Sequence, residues 1–156
     1  MAAQFATDSG DNPLWDYALT VYAKTGVKEC LLNLQNEQGM DVLLLLADGW
    51  LQQQHRGWPA SGIPETYLHW RDDMIVPLRA LRCRLQKEAE PLRSQLLSAE
   101  LSAEKEGLRR LYMALPESDG KGAELLSMTA VFIRDNGQKK EAIRPLLQQL
   151  SRLMSA

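Results

Sequence analysis

Little in this sequence of 156 residues is of a kind that does chemistry. It has two cysteines and two histidines. Cys30 and Cys83 lack a partner at C-x-x-C spacing, and His55 and His69 have no second ligand nearby, so neither a zinc site nor a disulfide framework is expected. No phosphate-binding glycine loop, dinucleotide fingerprint or nucleophile elbow occurs, and no catalytic residue, cofactor or metal is expected from motifs. Apolar runs fall short of the roughly 18 residues that cross a membrane. The opening MAAQFATDSGDNP has neither the basic nor the apolar region of a signal peptide. These absences point to a soluble cytoplasmic protein whose thiols stay reduced.

What is present is ordinary globular material, 45% hydrophobic and 24% charged, enough for one packed domain. The net charge of -2 hides an asymmetry. Residues 1–78 hold 4 Lys and Arg against 10 Asp and Glu, and residues 79–156 hold 14 against 10. Halves of opposite sign attract each other within one fold. No run of five or six like charges exists to attract nucleic acid, so no nucleic-acid partner is expected.

Residues 1–11 are small and polar and read as a disordered tail, leaving residues 12–156 as a single helical domain. Asn12 as N-cap and Pro13 at the first helical position open a helix whose stripe is Leu14, Trp15, Ala18, Leu19 and Tyr22. Val27, Cys30, Leu31 and Leu34 form a second, closed by Gly39. In MDVLLLLADGWLQQQ the run is apolar nearly all round and poor in β-branched residues, so it is a central helix rather than a strand. HRGWPASGIP is a loop. Beyond it Tyr67, Trp70, Met74, Leu78, Leu81 and Leu85 form one seam, which Pro77 is expected to kink or split near Val76. Leu97, Leu101, Leu108, Leu111 and Leu115 mark a long helix whose SAELSAEKEGLRR face reads as charged and solvated. PESDGKG and RDNGQ are turns flanking a helix over residues 123–133. The last helix carries Ile143, Leu146, Leu150 and Leu153, with Pro145 as its first residue or a kink. No segment asks for a sheet: the expected fold is an all-α bundle of six or seven helices.

The candidate polar residues flank these stripes. Arg71, Arg79 and Arg82 lie beside the seam, with Asp72 and Asp73 turned to water, a geometry unsuited to chelating a metal. Asp48 sits inside the most apolar helix, where a charge needs a partner, and Asp16 is read as similarly placed. Two outcomes follow: an internal Asp–Arg network fixing helix register, or a ligand-binding pocket of Asp16, Asp41, Asp48, Arg71, Arg79 and Arg82 that clamps a phosphate or carboxylate. Asp41 is more simply an N-cap. His55 is the sole general-base candidate. Trp15, Trp50, Trp58 and Trp70 read mainly as core. Trp58, in the loop, is the one tryptophan offered as an exposed interaction anchor.

The ordered elements LWDYALTVYAKTGVKECLLNLQNEQGMDVLLLLADGWL, then VPLRALRCRL, then AELSAEKEGLRRLY, resemble a family of small proteobacterial proteins of unknown function. The shared pattern is a Leu-Trp-Asp element, a Gly-Val turn, a Leu-Gln…Gly-x-Asp-Val element and a Pro-Leu-Arg helix. Here these are Leu14, Trp15, Asp16, Gly26, Val27, Leu34, Gln35, Gly39, Asp41, Val42, Pro77, Leu78 and Arg79. The resemblance spans about residues 14–112 and implies a bacterial, cytoplasmic helical protein without assigning an activity. The functional expectation is a non-enzymatic module that binds an as yet unknown protein partner. The alternative is a small anionic-ligand-binding protein or enzyme using the Asp/Arg cluster.

Overall fold

A computed structural model describes residues 12–59, 61–115 and 140–156. Every regular element among them is helical: α1 (Pro13–Tyr22), α2 (Val27–Gln38), α3 (Val42–Gln53), α4 (Glu65–Trp70), a π-helical turn (Arg71–Ile75), α5 (Val76–Arg84), α6 (Leu92–Ala114) and α7 (Lys140–Ser155). The helices α4 and α5 run on through the π turn as one rod, so the all-α expectation holds. The expected tail over residues 1–11, the helix over 123–133 and its flanking turns lie outside the described residues. None of the described helices is long and apolar enough to cross a membrane.

The signals read from sequence are the ones that set the ends. The Asn12 side chain accepts from the Trp15 N–H at 3.1 Å, with Pro13 directly after it. Gly39 ends α2 in the left-handed region at φ 66, where its N–H reaches the Leu34 carbonyl. Asp41 then caps α3, its Oδ1 accepting from the N–H groups of Leu43 (2.9 Å) and Leu44 (3.4 Å).

Helix α3 is buried without interruption from Val42 to Asp48 and forms the centre. Around it pack α1, α2, α6 and α7. Burying seven consecutive side chains is what an all-round apolar helix requires, since it has no face to offer water. The amphipathic α7 lies across α2 and α3, with Leu150 and Met154 buried. Pro145 is interior to α7 rather than its first residue.

Helix α6 touches α1, α3, α4 and α5. Trp70 ties α4 to it by donating its indole N–H to the Ala103 carbonyl at 2.8 Å, and the Arg110 guanidinium lies 4.3 Å from the Trp70 ring centre.

The expected seam breaks at the π turn. In an α-helix the N–H of Val76 would bond the Asp72 carbonyl; here it reaches Arg71. One residue is thereby inserted just before Pro77, which could not have continued the α-helical ladder in any case. The phase rotates, so Ile75 is buried while Met74 is 40% and Leu81 47% exposed. Met74 and Leu81 therefore turn to water, while Leu78 stays half-buried against the core.

Gly39 tests the capping account directly. Nothing lies within 4 Å of a Cβ built there, so only the positive φ opposes a side chain. Gly39→Ala is expected to cost about 1 kcal/mol in chemical denaturation, and Gly39→Asn less.

Candidate functional site

Two buried carboxylates on α6 organise the polar side of the fold. Glu100 is 3% and Glu104 1% exposed, although both belong to the stretch whose spacing reads as a solvated face. Arg79 and Arg82 on α5 hold them. Arg79 Nε donates to Glu100 Oε1 at 3.0 Å and its Nη2 to Glu104 Oε1 at 3.2 Å. Arg82 grips Glu100 with two nitrogens, Nε on Oε2 and Nη2 on Oε1 at 3.3 Å. Such forked pairs fix both distance and rotation between two helices.

The two carboxyls sit in different electrostatic settings. Burial pushes Glu100 upward, but hydrogen bonds from Arg82 and Arg79 outweigh it and hold the group below the usual carboxylate range. Glu104 is more deeply enclosed, and there burial wins over the attraction of Arg79, leaving its carboxyl raised. Adjacent acids with values pushed apart are a frequent mark of functional sites, and equally of structural ion-pair networks.

A cleft of about 570 Å³ runs beside this cluster, with Asp41, Tyr67, Arg71, Arg79 and Glu104 on its walls. Asp41 serves twice. While its Oδ1 caps α3, its Oδ2 accepts the buried Tyr67 hydroxyl at 2.6 Å and faces Arg71 Nη1 at 3.5 Å. Burial and the Asp41 charge push the Tyr67 phenol well above its ordinary value, so it stays a donor. Arg71 also pairs with the exposed Asp72 through Nε at 2.9 Å.

The sequence-proposed ligand set is therefore divided. Asp41, Arg71 and Arg79 share the cleft; Arg82 stands behind it on Glu100. Asp48 lies elsewhere, on a second cleft of about 500 Å³ between α1, α3 and α7. It accepts from the Trp58 indole N–H at 2.9 Å and from Gln52. Burial, with the Asp48 charge adding to it, pushes the Tyr17 phenol up to about 12. Asp16 is exposed on α1, contrary to its expected place near the core. Trp58 is 1% exposed, so the proposed surface anchor is a core residue and the indole partner of a buried acid. His55 is an exposed residue at the end of α3 and lines neither cleft.

The internal network expected from the arginines exists, but Arg79 and Arg82 use glutamates. A signal for this was available. Glu104 falls between Leu101 and Leu108 at the spacing of the α6 stripe, so it occupies a core position by phase. No group of three or more His, Cys, Asp or Glu among the described residues could hold a metal ion.

These features define an all-α bundle whose polar chemistry is concentrated where α5 meets α6. The family described as "Protein of unknown function (DUF2390)" matches residues 13–111, and the chain belongs to it. No curated protein and no solved structure matches the chain.

Replacing Glu100 by Gln leaves Arg82 and Arg79 facing a neutral amide and is expected to cost about 2–3 kcal/mol at pH 7. Since Glu100 is held below its unfolded value, its stabilising contribution is full above the unfolded carboxylate range and fades as pH falls through the lowered value. Denaturation at pH 7 and in strong acid is expected to show the gap between wild type and variant closing in acid.

Proposed function

We propose that the protein is a non-enzymatic, cytoplasmic interaction module of a bacterial cell that docks another protein chain through the hairpin of α5 and the first half of α6. The observation that carries this reading is that no residue from Val76 to Ala99 is buried. The hairpin nevertheless carries large apolar side chains, with Val76 48% and Leu92 50% exposed. It is fastened to the bundle by the ion pairs of Arg79 and Arg82 together with the packing of Leu78 against the core. An exposed apolar surface on a rigidly clamped element suits docking, where a partner removes it from water. Both cysteines are free, in keeping with a reducing cytoplasm.

The test compares tagged full-length wild type with the Val76→Asp, Leu92→Asp double variant. Both sites are exposed, so the melting temperature is expected to hold, while a protein retained from lysate by the wild type is lost. Equal retention by both would overturn the reading.

The cleft favours a second reading, a small ligand with an anionic group on Arg71 and Arg79, whose side chains are 30% and 33% exposed. Asp41, Asp72 and Glu104 outnumber these arginines there, so the ligand would also need hydrogen-bond donors, as an amino acid has. A ligand at 100 times its Kd stabilises by about 2.7 kcal/mol. Amino acids, carboxylates and inorganic phosphate would be screened by thermal shift, with a rise in wild type and none in Arg71→Gln expected. A screen without any rise would make the cleft purely structural.

A further inference from the structure

The cleft between α1, α3 and α7 measures about 500 Å³, within the range of roughly 300–1,000 Å³ in which proteins hold small molecules. Its depth and its rim differ in character. Asp48 lies deep in it, 7% exposed, whereas Gln52, Gln53 and Gln148 stand exposed around it. Val21, Leu45 and Leu150 supply buried apolar wall.

The Asp48 carboxylate is held in a fixed orientation. Trp58 donates to its Oδ1 at 2.9 Å and the Gln52 amide to its Oδ2, while the Gln52 oxygen accepts from the Ser151 hydroxyl of α7 at 3.4 Å. A carboxylate has about four acceptor positions, so a ligand can add to these bonds without breaking them. Tyr17 stands beside it. A Cβ at Gly49 would meet the Tyr17 hydroxyl at 2.6 Å, so it is the glycine that lets the phenol lie against α3. The Asp48 charge reaches this phenol and, with burial, keeps it neutral up to about 12, so the field of the carboxylate acts inside the cleft. The Lys24 ammonium on the same wall is directed to main-chain oxygens at the end of α7, those of Met154 at 2.8 Å and Ala156 at 3.0 Å.

We propose that this cleft binds a small organic cation, a primary ammonium or guanidinium group on an aliphatic body, with the charged group on Asp48 and the Tyr17 hydroxyl and the body along Val21, Leu45 and Leu150. A carboxylate attracts a cation and repels an anion, and between apolar walls that preference is screened less than on an open surface. Contact with the walls removes the aliphatic body from water. The neutral amides at the rim accept or donate to further polar groups without selecting their charge.

The experiment titrates the full chain at pH 7 with n-butylamine, putrescine and agmatine, following binding by calorimetry and by melting temperature, with butanol and butyrate as controls of matched body. The amines are expected to bind and to raise the melting temperature, and the two controls to do neither. Asp48→Asn is expected to abolish binding, with its own melt recorded because the side chain also serves Trp58 and Gln52. Gln148 is exposed, so the fold is expected to survive a charge there: Gln148→Lys raises the Kd for butylamine about threefold and Gln148→Glu lowers it by a similar factor. Arg71→Gln, in the other cleft, is expected to leave amine binding unchanged. A wild type that takes none of the amines, butanol bound as well as butylamine, a Kd indifferent to the charge at residue 148, or amine binding lost in Arg71→Gln would each overturn the proposal.

Discussion

Helix α3 has almost no polar side, and the requirement to close its ends and satisfy its one internal carboxylate shapes the surrounding structure. Asp41 meets the first demand with one oxygen, and with the other it gathers Tyr67 and Arg71 from the rod that follows the loop. Asp48 meets the second by drawing in Trp58 from that loop. A carboxylate in such a setting is costly unless donors reach it, so two aspartates, one capping the buried helix and one inside it, fix where Trp58, Tyr67 and Arg71 come to lie.

The attachment of α5 rests on a different physical basis. No residue of the helix is fully buried, and Leu78 is the α5 side chain that packs half-buried against the core. Arg79 and Arg82 reach down to Glu100 and Glu104, which lie in protein while the guanidiniums stay partly in water. An interaction of this sort is directional where apolar packing is not. It sets the angle of the rod on α6 and leaves the outer face of that rod available.

The helices and their ends were legible because local chemistry fixes them: Asn12, Pro13, Gly39 and Asp41 each act on neighbours within a few residues. The all-round apolar run of α3 likewise announced its central position. The seam after Trp70 was misread because a π turn alters phase through a single hydrogen bond, which residue spacing does not record. Glu100 and Glu104 were misread because charged residues on a helix usually face water, and their burial depends on arginines from a distant segment. Trp58 was read from its glycine- and proline-rich neighbours, whereas its place is decided by an aspartate ten residues earlier. The candidate site was thus half visible: its arginines and Asp41 could be named, but not the acids that Arg79 and Arg82 serve.

The two thiols differ in a way that makes the chain its own reporter. Cys30 is covered by α7, its Sγ 3.8 Å from the Leu146 carbonyl, and burial raises its pKa. Cys83 stands exposed on α5. An alkylating reagent added to the unaltered protein therefore marks α5 at once, and the second adduct accumulates only as often as the last helix lifts from α2. Counting adducts by mass against time gives the opening frequency of one helix without any change to the sequence.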